Sequence, residues 1–357
     1  MTIQSRHSLG DVLDSMTAPG VLVETVDAEA KTVRCHACAH RCLIREGRRG
    51  ICQVRFNRDG VLYVPRGYVA SLQADPIEKK PFFHVLPGSD ALSFGMLGCD
   101  FRCDFCQNWL TSQTLRDDNA GITPQAVSAD RLVDLARLHR VTAIASTYNE
   151  PLITTEWAVE VFKLAKRAGL RTLVISNGNA TPEALEYFAP HLDAYKIDLK
   201  TMRDATYRKI IGGVLQHVLD SIQRVHDLGI WLEIVTLIIP GMNDSSEELW
   251  DAARYIRSVS PDIPWHVTGF YPTYKMTDRG STPADTLTRA AEIGMEAGLN
   301  YVYAGNRPGH TGDWEDTRCP ACQTTLIRRQ GFRVLHNRVT PEGTCPNCGA
   351  AIPGVWR

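Results

Sequence analysis

From about residue 91 onward, apolar runs of strand length alternate with amphipathic stretches of helix length. Strands are predicted over 91–97, 142–147, 171–176, 194–199, 231–237 and 265–270. Helices are predicted near 129–139, 155–168, 182–188, 215–228, 246–259 and 283–297. In the fifth helix Leu249, Ala252, Ala253, Ile256 and Val259 recur at helical spacing. Ser245, with Glu248 three residues on, reads as a capping box at its start. Thr181-Pro182 reads as an N-cap followed by proline at the first helical position. Glycine closes several units, as in KLAKRAGLR, RVHDLGIW and GMEAGLN. Residues 1 to about 30 show only weak periodicity. The stretch from Val64 to DPIEKKPFFHVLPGS reads as extended chain and turns, because of its Asp-Pro, Lys-Pro and Pro-Gly steps.

Six βα units in a row imply parallel strands joined by right-handed crossovers. They can close as an open doubly wound sheet or as an incomplete barrel, and periodicity does not separate the two. In either, chemistry gathers at the C-terminal ends of the strands. Those ends read GMLGCDFRC, STYNEP, ISNGN, YKIDLK, LIIPGMND and HVTGFYPTY, whereas the strand starts are bland. One site assembled from six loops is expected.

The 357 residues carry 39 Lys and Arg against 40 Asp and Glu, for a net charge of −1. That balance argues against a dominant nucleic-acid surface. No apolar run reaches the roughly 18 residues of a membrane span. The opening MTIQSRHSLGDVLDSM lacks the apolar core of a signal peptide. A cytoplasmic protein is expected, without a membrane or nucleic-acid partner.

The eleven cysteines change the picture most. They form three tight groups: Cys35, Cys38, Cys42, Cys52; Cys99, Cys103, Cys106; and Cys319, Cys322, Cys345, Cys348. Buried structural thiols would be scattered over core positions, so these groups point to metal or cluster binding. The central trio follows directly on the first predicted strand. It suits either a [4Fe–4S] cluster with one iron left open or a zinc site completed by a distant ligand. The C-terminal four approach zinc-ribbon spacing, with a slightly long linker; a structural zinc or an auxiliary iron–sulfur cluster fits. The N-terminal four likewise suit zinc or a second cluster, with His36 and His40 as spare ligands. There Arg41, Arg45, Arg48 and Arg49 are placed to neutralise thiolate charge.

The loop CDFRCDFC after the first strand resembles the radical S-adenosylmethionine (radical SAM) superfamily. The resemblance implies a [4Fe–4S] cluster on Cys99, Cys103 and Cys106, whose open iron chelates SAM. It also implies a cellular one-electron donor, and cleavage of SAM to a 5′-deoxyadenosyl radical that takes hydrogen from a substrate. Phe105 is the aromatic expected near the adenine. Tyr148-Asn149-Glu150-Pro151 stands where the family has a Gly-Gly-Glu-Pro-type motif for the SAM amino group, with Tyr and Asn in place of the glycines. Ser176, Asn177, Asp198 and Lys200 look like counterparts of residues in the pyruvate formate-lyase activating enzyme group, where such a lysine can pair with the SAM carboxylate. His266 matches a histidine near SAM in that group. The PGMND turn at 240–244 resembles a structural turn of the same family.

A wider match covers most of the chain from Cys35. CHACAHRCLIREGRRGICQVR, DPIEKKPFFHVLPGS, CDFRCDFCQNW, TYNEP and a GNRPGH loop before paired cysteines resemble the AmmeMemoRadiSam-system radical SAM enzymes. The expected fold is an incomplete (β/α)6 TIM-like barrel over 86–310. A four-cysteine segment and connector precede it over 1–85, and a zinc-ribbon tail follows over 311–357. The expected activity is radical modification or activation of a partner protein, with co-encoded AmmeMemoRadiSam proteins as candidate partners. A small molecule or peptide is the alternative substrate. In a different class, the ribbon is a binding module beside an idle barrel.

Overall fold

The structure, a computed structural model, describes residues 8–357. Residues 1–7, which open the predicted N-terminal segment and the stretch read for a signal peptide, lie outside the described residues. An eight-stranded sheet forms the centre. Its strands are β1 (Ser71–Pro76), β2 (Asp90–Gly95), β3 (Ala143–Ser146), β4 (Arg171–Ser176), β5 (Ala194–Asp198), β6 (Trp231–Ile238), β7 (Trp265–Gly269) and β8 (Val302–Gly305). They lie side by side in chain order. β2 to β8 are parallel, with registers such as Ala143↔Ala91 and Ile234↔Trp265. β1 runs antiparallel to β2, from Ser71↔Gly95 to Pro76↔Asp90.

Six helices make the crossovers: α1 (Ala129–Leu138), α2 (Thr155–Arg167), α3 (Pro182–Phe188), α4 (Leu215–Asp227), α5 (Ser246–Val259) and α6 (Ala284–Glu296). Each lies within two residues of its predicted range. Ser128, Thr181 and Ser245 cap α1, α3 and α5 by accepting from Arg131, Ala184 and Glu248 N–H groups. At Ser245 only this half of the predicted capping box forms. The Glu248 carboxylate instead accepts from the Thr201 hydroxyl and from Met202 N–H at 2.8 Å. Gly169, Gly229 and Gly298 take the left-handed conformation that ends α2, α4 and α6. The apolar faces of these helices pack on the sheet, as in the contacts of Phe162 with Phe94 and Phe188. Burial of each such ring contributes roughly 1.5–3 kcal/mol.

The expected six-strand count is corrected in two places. β8 follows α6 as a seventh parallel strand. Only four residues long and flanked by tyrosines, it carries no legible alternation. β1 adds an antiparallel edge where extended chain and turns were expected. It is half exposed and ends at Pro76, as an edge strand can. Side chains of β4 to β8 line one common cavity, so the sheet curls around a shared interior.

The flanking segments pack against this body. Before β1, one small antiparallel sheet joins Thr17–Pro19, Val61–Pro65 and Phe56–Arg58, and another joins Val23–Asp27, Thr32–Cys35 and Leu43–Ile44. After β8, Thr317–Arg318, Thr325–Gln330 and Arg333–Asn337 form a third. Its cysteines share a core with Phe83, Tyr301 and Tyr303. Buried Arg329 fastens it to the body, donating to the Phe83 carbonyl at 2.7 Å and lying 3.6 Å from the buried Glu78 carboxylate. Among the described residues no helix is long and apolar enough to cross a membrane.

Candidate active site

The cavity, of about 540 Å³, opens at the C-terminal ends of the parallel strands. At Gly95, the end of β2, an added Cβ would meet the Thr147 carbonyl at 2.6 Å, so the ends of β2 and β3 nearly touch. Asn149 pins this junction: its Oδ1 accepts from Met96 N–H at 2.9 Å. The chain then turns into the cysteine loop, and Cys99, Cys103, Phe105 and Cys106 all line the cavity. Donors surround the sulfurs. Phe101 N–H lies 3.3 Å from Cys99 Sγ, Asn177 Nδ2 is 3.9 Å from the same sulfur, and the Ser112 hydroxyl is 3.0 Å from Cys106 Sγ. Arg116 clamps the loop by donating to the carbonyls of Cys99 and Phe101.

Burial pushes all three thiols up, Cys103 to about 12 despite the nearby Lys200 ammonium. Thiols so desolvated ionise only when a metal takes the place of the proton. Three convergent sulfurs with N–H and O–H donors around them fit an iron–sulfur centre with one ligand position left over.

Glu150, Ser176 and Asn177 meet between the ends of β3 and β4. The Glu150 carboxylate accepts from Leu152 N–H at 3.0 Å, the Ser176 hydroxyl at 2.7 Å and Asn177 N–H at 2.8 Å. Burial and the Asp100 charge push this carboxyl up to about 8. Asp100, which sequence reading passed over, is itself buried and accepts from Asn177 Nδ2 at 2.7 Å and Asn179 Nδ2 at 2.8 Å. These bonds tie Glu150, Ser176, Asn177 and Asp100 into one frame along one wall.

The opposite charge stands on β5 and just past its end. Lys196, Asp198 and Lys200 are spaced two apart, so all three face the cavity. Asp198 bonds both lysines, Lys200 at 3.1 Å. Burial pushes Asp198 up, but the two ammonium groups outweigh it and hold the carboxyl at about 2. Lys200 is depressed by burial, yet Asp198 keeps it well above its ordinary value. Two positive charges thus meet one negative charge at a concave wall, and each ammonium keeps further N–H donors for an anion. Lys196 escaped the sequence reading, although its period-two spacing from Asp198 and Lys200 was visible.

His266 sits elsewhere than at a strand end. It is the second residue of β7, and its Nε2 lies 2.7 Å from the Glu233 carboxylate on β6. Glu233 also accepts from Phe83 and His84 N–H, each at 2.9 Å, and from Trp231 Nε1 at 3.0 Å. Burial pushes His266 down although Glu233 opposes it. The histidine reaches the cavity floor, stacked on Tyr303. The expectation of bland strand starts is therefore corrected at Glu233, a fully buried carboxylate near the start of β6.

In the C-terminal group the sulfurs of Cys319 and Cys348 lie 3.6 Å apart and those of Cys322 and Cys345 3.7 Å. All four fall within 4.8 Å of one another, so this group can hold one metal ion. The arginines expected to neutralise the N-terminal group do otherwise. Arg41 makes a bidentate pair with Glu183 at 2.9 and 2.7 Å, Arg49 pairs with Asp14 at 2.7 Å, and Arg45 and Arg48 are exposed.

Comparison with known proteins completes the picture. The Radical SAM superfamily model matches residues 95–256. The uncharacterized protein MJ0808 of Methanocaldococcus jannaschii is 39% identical over 323 residues, which is 90% of this chain and 95% of that one. A pyruvate formate-lyase-activating enzyme of Clostridium pasteurianum is 24% identical over 182 residues, 48% of this chain and 74% of its own length. Among solved structures, SuiB of Streptococcus suis gives a TM-score of 0.48 at 13% identity over 64% of this chain and 52% of that one. The matched segment begins at the last residue of β2 and includes the cysteine loop, the Glu150 frame and the β5 charges. Residues 95–256 form a radical SAM domain, and the chain is an enzyme of that type, similar to the glycyl-radical activating enzymes.

Proposed function

We propose that Cys99, Cys103 and Cys106 hold a [4Fe–4S] cluster in a barrel spanning residues 86–310, and that this centre cleaves SAM to modify or activate a partner protein. The observation that carries this reading is one buried and two half-buried thiols together with a two-lysine, one-aspartate wall on a single cavity. When bound, the cluster and SAM supply one-electron chemistry that removes hydrogen from a substrate, with the electron drawn from a cellular donor. The chain's own residues do the rest. Lys200, with Lys196 beside it, binds the SAM carboxylate, and Asp198 holds both ammonium groups in place. Phe105 packs against the adenine. Asn149, Glu150, Ser176 and Asn177 form the rigid wall on which SAM lies. His266 and the aromatic rings around it close the floor and keep water out. A protein substrate is supported by the activating-enzyme relatives and by the AmmeMemoRadiSam-type motifs, whose co-encoded proteins are the partners to try first. That assignment also supports a cytoplasmic enzyme.

The C-terminal group is best read as a zinc ribbon over 311–357. Zinc–sulfur bonds of about 2.3 Å in a tetrahedron bring sulfurs to about 3.8 Å, close to the spacings found. Anaerobic incubation of the reconstituted enzyme with reductant and SAM, with 5′-deoxyadenosine as readout, tests the main reading. Wild type is expected to cleave SAM and Cys99→Ala to fall to background. Undiminished cleavage by the variant would refute the assignment.

A further inference from the structure

The N-terminal cysteines have a geometry unlike that of the C-terminal ones. Cys35, Cys38 and Cys52 are buried and Cys42 is half-buried. The chain folds the four toward one place: Cys35 N–H donates to the Cys42 carbonyl at 3.0 Å, Ile51 N–H, next to Cys52, lies 3.4 Å from Cys42 Sγ, and the Cys38 thiol lies within electrostatic reach of the other three. Yet among the described residues it is the C-terminal four whose ligand atoms all come within 4.8 Å of one another. A single metal ion requires that closeness, since its bonds of about 2.3 Å hold thiolates about 3.8 Å apart. A polynuclear centre does not, because each thiolate binds a different iron. The ligand atoms of the central trio likewise do not all come within that distance of one another.

A second observation bears on the same place. Arg55 is buried to 1% exposure and lies within electrostatic reach of the Cys35 and Cys52 thiols. One of its nitrogens pairs with Glu156, whereas its Nε and Nη1 have no partner. A buried guanidinium with two idle donors is costly unless something accepts from it. A cluster supplies acceptors in its inorganic sulfides as well as its thiolates, and its negative charge offsets that of the guanidinium. The segment is also built onto the active site. Ala39 N–H donates to the Asn179 carbonyl at 2.8 Å, and Arg116, which clamps the Cys99 carbonyl, also donates to the Ile51 carbonyl at 2.6 Å.

We propose that Cys35, Cys38, Cys42 and Cys52 hold a second iron–sulfur cluster, with Arg55 donating to it, beside the first. All four ligands come from the chain, so this centre has no open position for SAM or substrate and serves as a redox centre.

The test is metal analysis of the full chain prepared anaerobically, comparing wild type with a variant in which Cys99, Cys103 and Cys106 are all Ala. This variant removes the SAM site, so failure here and failure of the reading above are distinguishable. The variant is expected to stay brown, with about four iron and four sulfide per chain against about eight of each in wild type. An iron-free variant carrying two zinc ions would overturn the proposal. If the triple variant does not fold, Cys42→Ala in the otherwise intact chain decides. Iron falling by half supports the second cluster; unchanged iron with one zinc lost rejects it.

Discussion

The most telling residues are the charges gathered on the cavity wall. Lys196, Asp198 and Lys200 point one way because a strand repeats every two residues. Sequence alone exposed two of them through the Asp-Leu-Lys step, while Lys196 was taken as part of an apolar strand. Asp100 was hidden differently. Between Cys99 and Phe101 it reads as a loop residue, and only the fold brings Asn177 and Asn179 to its oxygens. Lys200→Ala is expected to weaken SAM binding by roughly 1.5–3 kcal/mol, the worth of one charge-assisted hydrogen bond. Equilibrium binding under anaerobic conditions checks this. Unchanged affinity would take Lys200 off the SAM carboxylate.

At the scale of elements, helices were legible almost to the residue, because caps, glycines and periodicity agreed. The sheet edges were not. β8 is too short to alternate and β1 too exposed to read as buried, so their pairing emerges only from the fold. The connector between β1 and β2, read as turns, is turns and one short 3-10 helix, and its His84 anchors a polar chain across the molecule. Arg329 donates to the Thr317 hydroxyl at 2.8 Å, Thr317 meets the Tyr303 hydroxyl at 2.8 Å, and Tyr303 meets His84 Nε2 at 2.6 Å. His84 Nδ1 lies 2.7 Å from the Pro353 carbonyl. A carbonyl only accepts, so Nδ1 carries the proton and Nε2 accepts from Tyr303.

Protonated His84 would lose that acceptor, and burial pushes its pKa down to about 4. The unfolded chain, near 6.5, binds this proton first. Stability from His84 is therefore complete above about pH 6.5 and lost as pH falls toward about 4, by up to roughly 3 kcal/mol. Denaturant unfolding of wild type and His84→Gln at pH 7 and pH 4.5 checks this. The variant is expected to cost stability at pH 7 and to lose less than wild type on acidification. Equal losses in the two proteins would contradict the assignment.

For the molecule as a whole, the three cysteine groups come from three separate segments packed on one body. The C-terminal segment is built into the site, since Gly331 and Phe332 at the tip of its hairpin line the same cavity as the cysteine loop. Cys345→Ala is expected to release about one zinc per chain and to make the C-terminal segment protease-sensitive. SAM cleavage without substrate should persist, while turnover of the true substrate falls. Stoichiometric loss of iron and sulfide in this variant would instead make the group an auxiliary cluster.

That shared wall also has a consequence for how the protein is made. Synthesis runs from the N-terminus, and the ribosome releases the cysteine loop more than two hundred residues before Phe332. During that interval one side of the future cavity has no wall. A metal centre loaded at that stage would meet an open-sided nest of thiols, with the hairpin closing over it later. Synthesis thus has a built-in order: the cysteine loop emerges first, and the hairpin that completes its cavity comes last.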